Sequence, residues 1–320
     1  MPDLAICIPT FNRAPQLKAN LTHLARLAAR HDMAIYVSDN CSTDDTEEVV
    51  REASLSCPQI HYHRNPTNVG MDKNFAVVLG LPPEPYVWLL GDDDLIAEAA
   101  LAEVLALIEQ KVYDLILVNG GSKNVDSGRV QGEPTSEFSD PERLLVDLGW
   151  HATWISGLVM GRRLLDQMRV EAYDGSYFSH FIALFEALQH LPNPRVLWHA
   201  PSSFYPSHLA QFSWSQRAIE IFATRWLQAV WLIPGNYDPA ARRSCILAHG
   251  VRTGLLTSIG LMNLRAKGCF NSEQALRHRD ALRLASPCSW WQILAISIMP
   301  IPIVRMLRTL ALAVRSVARA

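Results

Sequence analysis

Residues 86–96 read YVWLLGDDDLI, an apolar run that breaks into three consecutive aspartates. Five apolar residues followed by a glycine predict a buried strand ending at Leu90, with GDDD as the loop at its carboxyl end. A helix is expected from about Ala97 to Gln110. The same order recurs on the N-terminal side. LAICIP (4–9) runs into TFNR and then APQLKANLTHLARLAAR, where Leu17, Leu21, Leu24 and Ala28 keep helical spacing and Pro15 suits a first turn. AIYVS (34–38) precedes DNCSTDD and a helix from about Thr46. IHYH (60–63) precedes RNPTNVG and a helix from about Met71. On the other side DLILVN (114–119) is a fifth strand.

Strand ends near residues 9, 38, 63 and 90 lie one βα unit apart, which predicts an α/β fold with a mostly parallel sheet flanked by helices. Such sheets bind ligands at the carboxyl ends of their strands. Thr10–Arg13, Asp39–Asp45, Arg64–Asn68 and Asp92–Asp94 are all placed there.

Three adjacent carboxylates repel one another and favour a cation. Mg²⁺ and Mn²⁺ take oxygen ligands from one or two carboxylates and complete the set with substrate phosphates. GDDD therefore reads as a metal–diphosphate site. The alternative is a solvated acidic turn before the next helix. The company of three other polar loops on the same edge favours the metal. Asp39 suits a nucleobase N–H or a ribose hydroxyl, or else an Asx-turn. Asp44, Asp45 and Thr46 read as a helix-capping group. Arg13 and Arg64 supply charge for phosphates, and Asn68 and Gly70 suit a tight loop before a helix.

These pieces, ICIPTFNR, VSDNCSTDDT, RNPTNVGMDKNF and VWLLGDDDLI, resemble family 2 glycosyltransferases with the GT-A fold over about the first hundred residues. The wording WLLGDDDLI is also similar to the members that build bacterial surface polysaccharides, abequosyltransferase-like enzymes among them. The resemblance implies that Pro9, Thr10 and Arg13 line a nucleotide site and that Asp39 meets the base. It puts Asn68 and Gly70 in a loop near the nucleotide, and Asp92 and Asp93 beside the sugar nucleotide. Asp94, with Asp92 and His208, would hold Mn²⁺ or Mg²⁺. It implies an inverting transfer from a UDP-, dTDP-, CDP- or GDP-linked sugar, in which an acceptor hydroxyl attacks and a side chain takes its proton. The family's acidic pair for that base is missing. Its place reads DGSYFSHFIALFEAL (174–188), so His180 is expected as the base, then Asp174, then Glu186. An imidazole accepts a proton near neutral pH. His199 is the other histidine near His208, and Trp154, Tyr177 and Trp214 are candidates to stack on sugar faces or to pack in the core.

The second half differs. Residues 1–150 carry 23 acidic and 11 basic residues, net −12, and residues 151–320 carry 8 and 18, net +10. Four stretches follow: a nucleotide-sugar half (1–120), an acceptor and catalytic half (121–214), a basic helical region (215–283) and an apolar, basic tail (284–320). Residues 284–304 have no charge, contain Trp290 and Trp291, and are broken by Pro287, Pro300 and Pro302. No acidic residue follows Asp280, and Arg305, Arg308, Arg315 and Arg319 punctuate the end. That pattern predicts a segment lying in a membrane interface rather than crossing it, or a helix docked on protein. The expected acceptor is then a polyprenyl-linked saccharide at the inner face of the cytoplasmic membrane.

An overall net charge of −2 gives no sign of a nucleic-acid partner. Six scattered cysteines without a C-x-x-C pair fit a reducing cytosol, and MPDLAICIPT does not read as a signal peptide. A dehydrogenase would need G-x-G-x-x-G and a P-loop NTPase G-x-x-x-x-G-K-[ST]; neither is present. A sugar nucleotidyltransferase would show a Gly-rich loop after the first strand, where IPTFNR stands. A membrane-associated scaffold that kept the fold and lost the base is the non-enzymatic alternative.

Overall fold

The computed structural model describes residues 3–121, 130–209 and 214–306. They divide into two compact units, one within residues 1–144 and 151–211, the other within 145–150 and 212–320.

The first unit is built on a nine-stranded sheet. Its strands are β1 (Leu4–Thr10), β2 (Ala34–Asp39), β3 (Ile60–Arg64), β4 (Tyr86–Leu89), β5 (Asp94–Ile96), β6 (Leu115–Gly120), β7 (Ser136–Phe138), β8 (Leu158–Gly161) and β9 (Val196–Pro206). The order is β3-β2-β1-β4-β8-β6-β9-β5, with β7 also on β9. The four strands read from the βα rhythm, β3-β2-β1-β4, pair in parallel. Beyond them the sheet is mixed, which corrects the mostly parallel expectation. β8 is antiparallel to both β4 and β6, β9 is parallel to β6, and β5 and β7 are antiparallel to β9. Chain reversal within residues 121–209 produces this, and no local periodicity announces it.

Alternation along β1 sets the two faces. Leu4, Ile6 and Ile8 join Leu17, Leu21 and Leu24 of α1 (Ala14–Ala28) in one buried cluster. Cys7 points the other way, and its Sγ donates to the Val78 carbonyl 3.3 Å away. That carbonyl belongs to α3 (Met71–Gly80), which follows α2 (Thr46–Ser56). Next come α4 (Glu98–Glu109), α5 (Pro141–Leu148), α6 (Arg162–Leu165) and α7 (Ser179–His190). In α7 every residue from Ser179 to Leu188 is buried, so this helix has no solvent face.

The second unit holds helices α8 (Trp226–Leu232), α9 (Pro239–Arg252), α10 (Ser258–Ala266), α11 (Ser272–Arg277), α12 (Arg279–Ala285) and α13 (Trp290–Ile298). Side-chain caps start most of them. Asp238 accepts from the Ala240 N–H, Thr257 from Gly260, and Asn271–Gln274 and Ser289–Gln292 form capping boxes. A Cβ on Gly250 would sit 1.9 Å from the Ala285 carbonyl oxygen, so only glycine lets α9 meet the end of α12. Arg242 is buried with carbonyls for partners, Val230 (2.6 Å), Ile233 (2.9 Å) and Gly235 (3.3 Å), and its guanidinium also lies over the Trp231 and Tyr237 rings. Burial lowers its pKa, yet a guanidinium keeps its charge. No helix among the described residues is long and apolar enough to cross a membrane.

Candidate active site

The carboxyl ends of β1 and β2 are tied together before any ligand is considered. Asn12 and Cys41 take left-handed backbone, φ 52° and 63°. The Asn12 side-chain oxygen accepts from the Thr43 N–H at 2.7 Å, and Ser42 Oγ accepts from the Asn12 N–H at 2.8 Å. Asp44 spans two helix starts: Oδ2 accepts from Ala14 N at 3.0 Å, Oδ1 from Thr46 Oγ1 at 2.5 Å. Burial pushes its pKa up, but the bonds from Thr46 and the Ala14 backbone outweigh that and hold it below the usual value.

Thr10 ends β1 and donates its hydroxyl to Asp92 Oδ2 at 2.9 Å. Arg13 Nε lies 3.1 Å from Asp92 Oδ1, and its Nη2 donates to Asp93 Oδ2. One guanidinium therefore bridges two of the three aspartates. The third, Asp94, turns away: its Oδ2 accepts from Trp154 Nε1 (2.9 Å) and Ser156 Oγ (2.5 Å). Ser156 Oγ also accepts from the Gly91 N–H at 2.9 Å. The buried Asn20 amide of α1 donates to the Gly91 and Asp94 carbonyls. A Cβ on Gly91 would press to 3.1 Å of Asp94 Oδ2, so the glycine of GDDD makes room for that carboxylate.

Asp39 ends β2, is fully buried, and uses both oxygens. Oδ1 accepts from the Ser42 N–H at 2.9 Å and Oδ2 from the Tyr62 hydroxyl at 2.7 Å, with Arg64 Nε 3.5 Å away. Burial and then Asp39 push the Tyr62 phenol well above its ordinary pKa, so it stays a donor. Behind it runs a network of buried amides. Asn74 Oδ1 accepts from Ser38 Oγ (2.7 Å) and Asn65 Nδ2 (2.9 Å). Asn40 Oδ1 accepts from Asn65 Nδ2 (3.2 Å) and the Val69 N–H (2.9 Å), while Asn40 Nδ2 donates to Asn68 Oδ1 (2.9 Å) and the Gly70 carbonyl (3.2 Å). Gly70, at φ 89°, precedes α3, and its N–H bonds Asn68 Oδ1 at 2.9 Å. Asn68 and Gly70 thus shape a loop that Asn40 holds against the end of β2. The sequence reading missed Asn40, Asn65, Asn74, Trp154's bond to Asp94, and Ser156. A cluster of asparagines flanking two strand ends was the available signal.

The residues expected to carry the base lie together but in unequal settings. Asp72 at the start of α3 is buried and accepts from the Tyr177 (3.1 Å) and Ser179 (3.4 Å) N–H groups, with Tyr177 at φ 69°. Asp174 is partly exposed and pairs with Lys73 Nζ at 3.0 Å. His180 is 2 % exposed on α7 and meets Phe75 edge-on, ring centroids 5.4 Å apart. Burial lowers its pKa to about 4; Asp72 and the Ala152 and Thr153 backbone only partly oppose this. At neutral pH it is an uncharged, weakly basic ring. Glu186 is occupied by Arg169 at 2.9 Å and by the Tyr173 hydroxyl, whose pKa rises to about 12 through burial and then Glu186.

His208 is exposed, one residue beyond Ser207, whose N–H donates to the Asp93 carbonyl at 2.7 Å. Among the described residues no three His, Cys, Asp or Glu side chains converge on a metal position, so Asp92, Asp94 and His208 are not an assembled ligand set. In charge, however, the loop suits a dication. Burial raises the Asp92 pKa most, Arg13 pulls it back, Asp93 and Asp94 push it up again, and it stands at about 7. The carboxylates outnumber the one guanidinium among them. His199 bonds Glu103 at 3.0 Å. Trp154 packs edge-on against Phe204, and Trp214 in the second unit against Phe222.

A family profile described as Glycosyl transferase family 2 matches residues 5–167, half of the chain. The chain belongs to this family. Within glycosyl transferase family 2 it is similar to the abequosyltransferase RfbV of Salmonella typhimurium, 26 % identical over 196 residues, 55 % of this chain and 58 % of that one. It is also similar to a Campylobacter jejuni GalNAc(5)-diNAcBac-PP-undecaprenol beta-1,3-glucosyltransferase, 31 % identical over 106 residues, 33 % and 34 % of the two chains. The matches thus span from a third to somewhat over half the length of these curated relatives. Among solved structures, S. aureus TarS 1–349 superposes with a TM-score of 0.53 at 15 % identity, covering 93 % of this chain and 90 % of that one. The mannosyltransferase PcManGT from Pyrobaculum calidifontis, solved with GDP-Man and Mn²⁺, gives 0.53 at 16 %, covering 97 % and 87 %. At such identity these two likenesses speak for the fold alone, a GT-A-like one.

Proposed function

We propose that this chain is an inverting glycosyltransferase that moves a sugar from a nucleoside-diphosphate sugar to a saccharide in bacterial surface-polysaccharide synthesis. The acceptor is carried on a polyprenyl diphosphate at the inner face of the cytoplasmic membrane. The observation that carries the reading is the Thr10–Arg13–Asp92–Asp93 cluster at the strand ends. It joins a cation, hydroxyl and carboxylates where a GT-A-like sheet binds its ligand. Asp39, with the Asn40–Asn68 loop beside it, receives the nucleoside, and Arg13 meets the diphosphate. Asp92, and Asp94 once released from Trp154 and Ser156, would hold Mn²⁺ or Mg²⁺, which would offset the negative charge gathering on the leaving group. The acceptor hydroxyl oxygen forms the new bond to the anomeric carbon as the bond to the β-phosphate oxygen breaks, and the nucleoside diphosphate leaves. Asp174 takes the hydroxyl proton. It is more exposed than His180, and Lys73 Nζ lies 3.0 Å from it.

One observation favours a second reading, a nucleotide-sugar-binding scaffold without turnover: the place of the family's acidic pair holds the buried Ser179 and His180. Calorimetry with UDP, dTDP, CDP and GDP, with and without Mn²⁺, on wild type and Asp94→Asn decides first. Metal-dependent binding of one nucleotide, lost in the variant, supports the enzyme. Binding without transfer to any lipid-linked saccharide supports the scaffold, and no binding of any nucleotide overturns both.

A further inference from the structure

We propose that the outer face of α13, continued through Ile303 and Met306, is a docking surface for an anionic lipid bilayer. The inference deepens the membrane part of the proposed function and rests on it only for the choice of leaflet.

α13 is apolar on its outer side as well as on its buried one. Its polar residues are Gln292 and Ser297, and Ser297 is buried with Ile293 and Ile296. Besides Gln292 in the capped first turn, the outward positions are Trp291, 75 % exposed, Ala295, and Ile298, 62 % exposed. They are spaced by four and three residues, so they form one stripe along the helix. Met306 and Ile303 follow at 57 % and 44 %. A surface helix ordinarily turns its polar side to water, and a contiguous apolar stripe marks a contact.

The exposure is held in place. α13 packs on α10 and α11, Ser289 and Gln292 cap it, and Arg265 Nε donates to the Met299 carbonyl at 3.0 Å in the turn beyond. Val304 returns the chain to the core.

Charge selects lipid over a second copy of the chain. From Ala281 onward the sequence has no acidic side chain, while Arg283 and Arg305 are exposed and Arg308, Arg315 and Arg319 follow in sequence outside the described residues. Arg283 and Leu284 are both exposed at the end of α12. Two such surfaces face to face would bring like charges together, whereas headgroup phosphates complement them. A tryptophan beside apolar residues suits the interfacial layer, where the ring's body is apolar and its N–H is wet. Nine residues of α13 are too few to span a bilayer, so the helix lies along it.

The test is flotation of the full chain with vesicles of phosphatidylglycerol mixed with phosphatidylcholine and with phosphatidylcholine alone. Wild type is expected to float with the anionic vesicles and to be released by salt. Trp291→Ser with Ile298→Ser should weaken partitioning at least about tenfold, at an unchanged melting temperature. Arg283→Glu, at an exposed position, should weaken it too and keeps the test valid if the double variant melts early. Failure of wild type to float, equal binding to both vesicle types, or undiminished flotation of the variants overturns the proposal. A dimer in sedimentation that the double variant abolishes, without flotation, also overturns it and makes the second copy the occupant. Nucleotide titration runs in parallel: lost titration with retained flotation removes the transferase reading and leaves this surface standing.

Discussion

The two units treat polarity in opposite ways. In the first, polar groups are taken inside and matched: Asp39, Asn40, Asn65, Asn74, Asp72 and Asp92 are all buried with named partners. In the second, large apolar side chains are left outside: Trp231, Leu232, Leu276, Leu284, Trp291, Ile298 and Met306 are exposed, against Phe11, Leu55 and Met71 in the first unit. Burying a polar group requires a geometrically defined partner, so the first unit is specified atom by atom. An exposed apolar stripe needs only area and a dry neighbour. On the two proposals above, one unit would recognise a molecule and the other would meet a surface.

The sharpest way to break that contrast is at its most polar point. Asp92→Asn or Arg13→Ala should lower sugar transfer by about 10²–10³-fold, the scale of removing one aimed electrostatic group, while circular dichroism stays that of wild type. Next comes a buried charge of the second unit, Arg242. Arg242→Met leaves several buried carbonyls without a donor and should cost about 3 kcal/mol in denaturant unfolding. Nucleotide binding, measured below the melt, should persist.

Asp174→Asn should lower kcat by about 10²-fold with donor KM unchanged. His180→Gln should instead lower the melting temperature and spare kcat; the reverse pattern would return the base to His180.

Protonation gives a smaller, signed effect. The Asp92 carboxyl, ordinary value 3.8, is raised to about 7, so between these values the folded protein holds a proton that the unfolded chain has lost. Stability from this group therefore falls as pH rises through that window. His180, ordinary value 6.5, is lowered to about 4, so its contribution is lost as pH falls through that window. Each slope is at most ~1.4 kcal/mol per pH unit. Urea unfolding across that range should show Asp92→Asn and His180→Gln changing the pH slope in opposite directions. Mn²⁺–nucleotide binding should release a proton below pH 7, read as a buffer-dependent enthalpy, and cease to do so well above it. Smallest of all, Leu284→Ser should change stability by less than about 0.5 kcal/mol, because the side chain is already in water.

How much of this was legible in the sequence follows from distance along the chain. β1, β2 and β4 were readable because each is an apolar run closed by a polar cluster, a local signal, and β3 because IHYH holds the matching place in the βα rhythm. β5 was not: three residues beginning at the third aspartate have no period, and the strand exists only because β9 lies beside it. β8 and β9 sit among residues of mixed character, with Pro201 and two serines inside β9, so their pairing is set by neighbours far away in sequence. The site divides the same way. Thr10, Arg13 and Asp92 stand in local motifs, and the structure joins them. The grip of Trp154 and Ser156 on Asp94 spans about sixty residues and leaves no local trace. Spacing places His180 along a helix but cannot say that α7 is buried all round.

Strand β9 carries a consequence for the order of assembly. Its end, Phe204–Pro206, is the ladder partner of Ile96–Asp94. On a ribosome the aspartate loop therefore emerges more than a hundred residues before the strand that pins its backbone, and Ser156 arrives between the two. The parallel half of the sheet has its chain available early, whereas the acidic loop must wait, three carboxylates close together, until that late strand closes over it. Completion of the site is thus a terminal event in folding of the first unit, and a nascent chain stopped before residue 204 would hold the sheet's parallel strands without the geometry that binds a ligand.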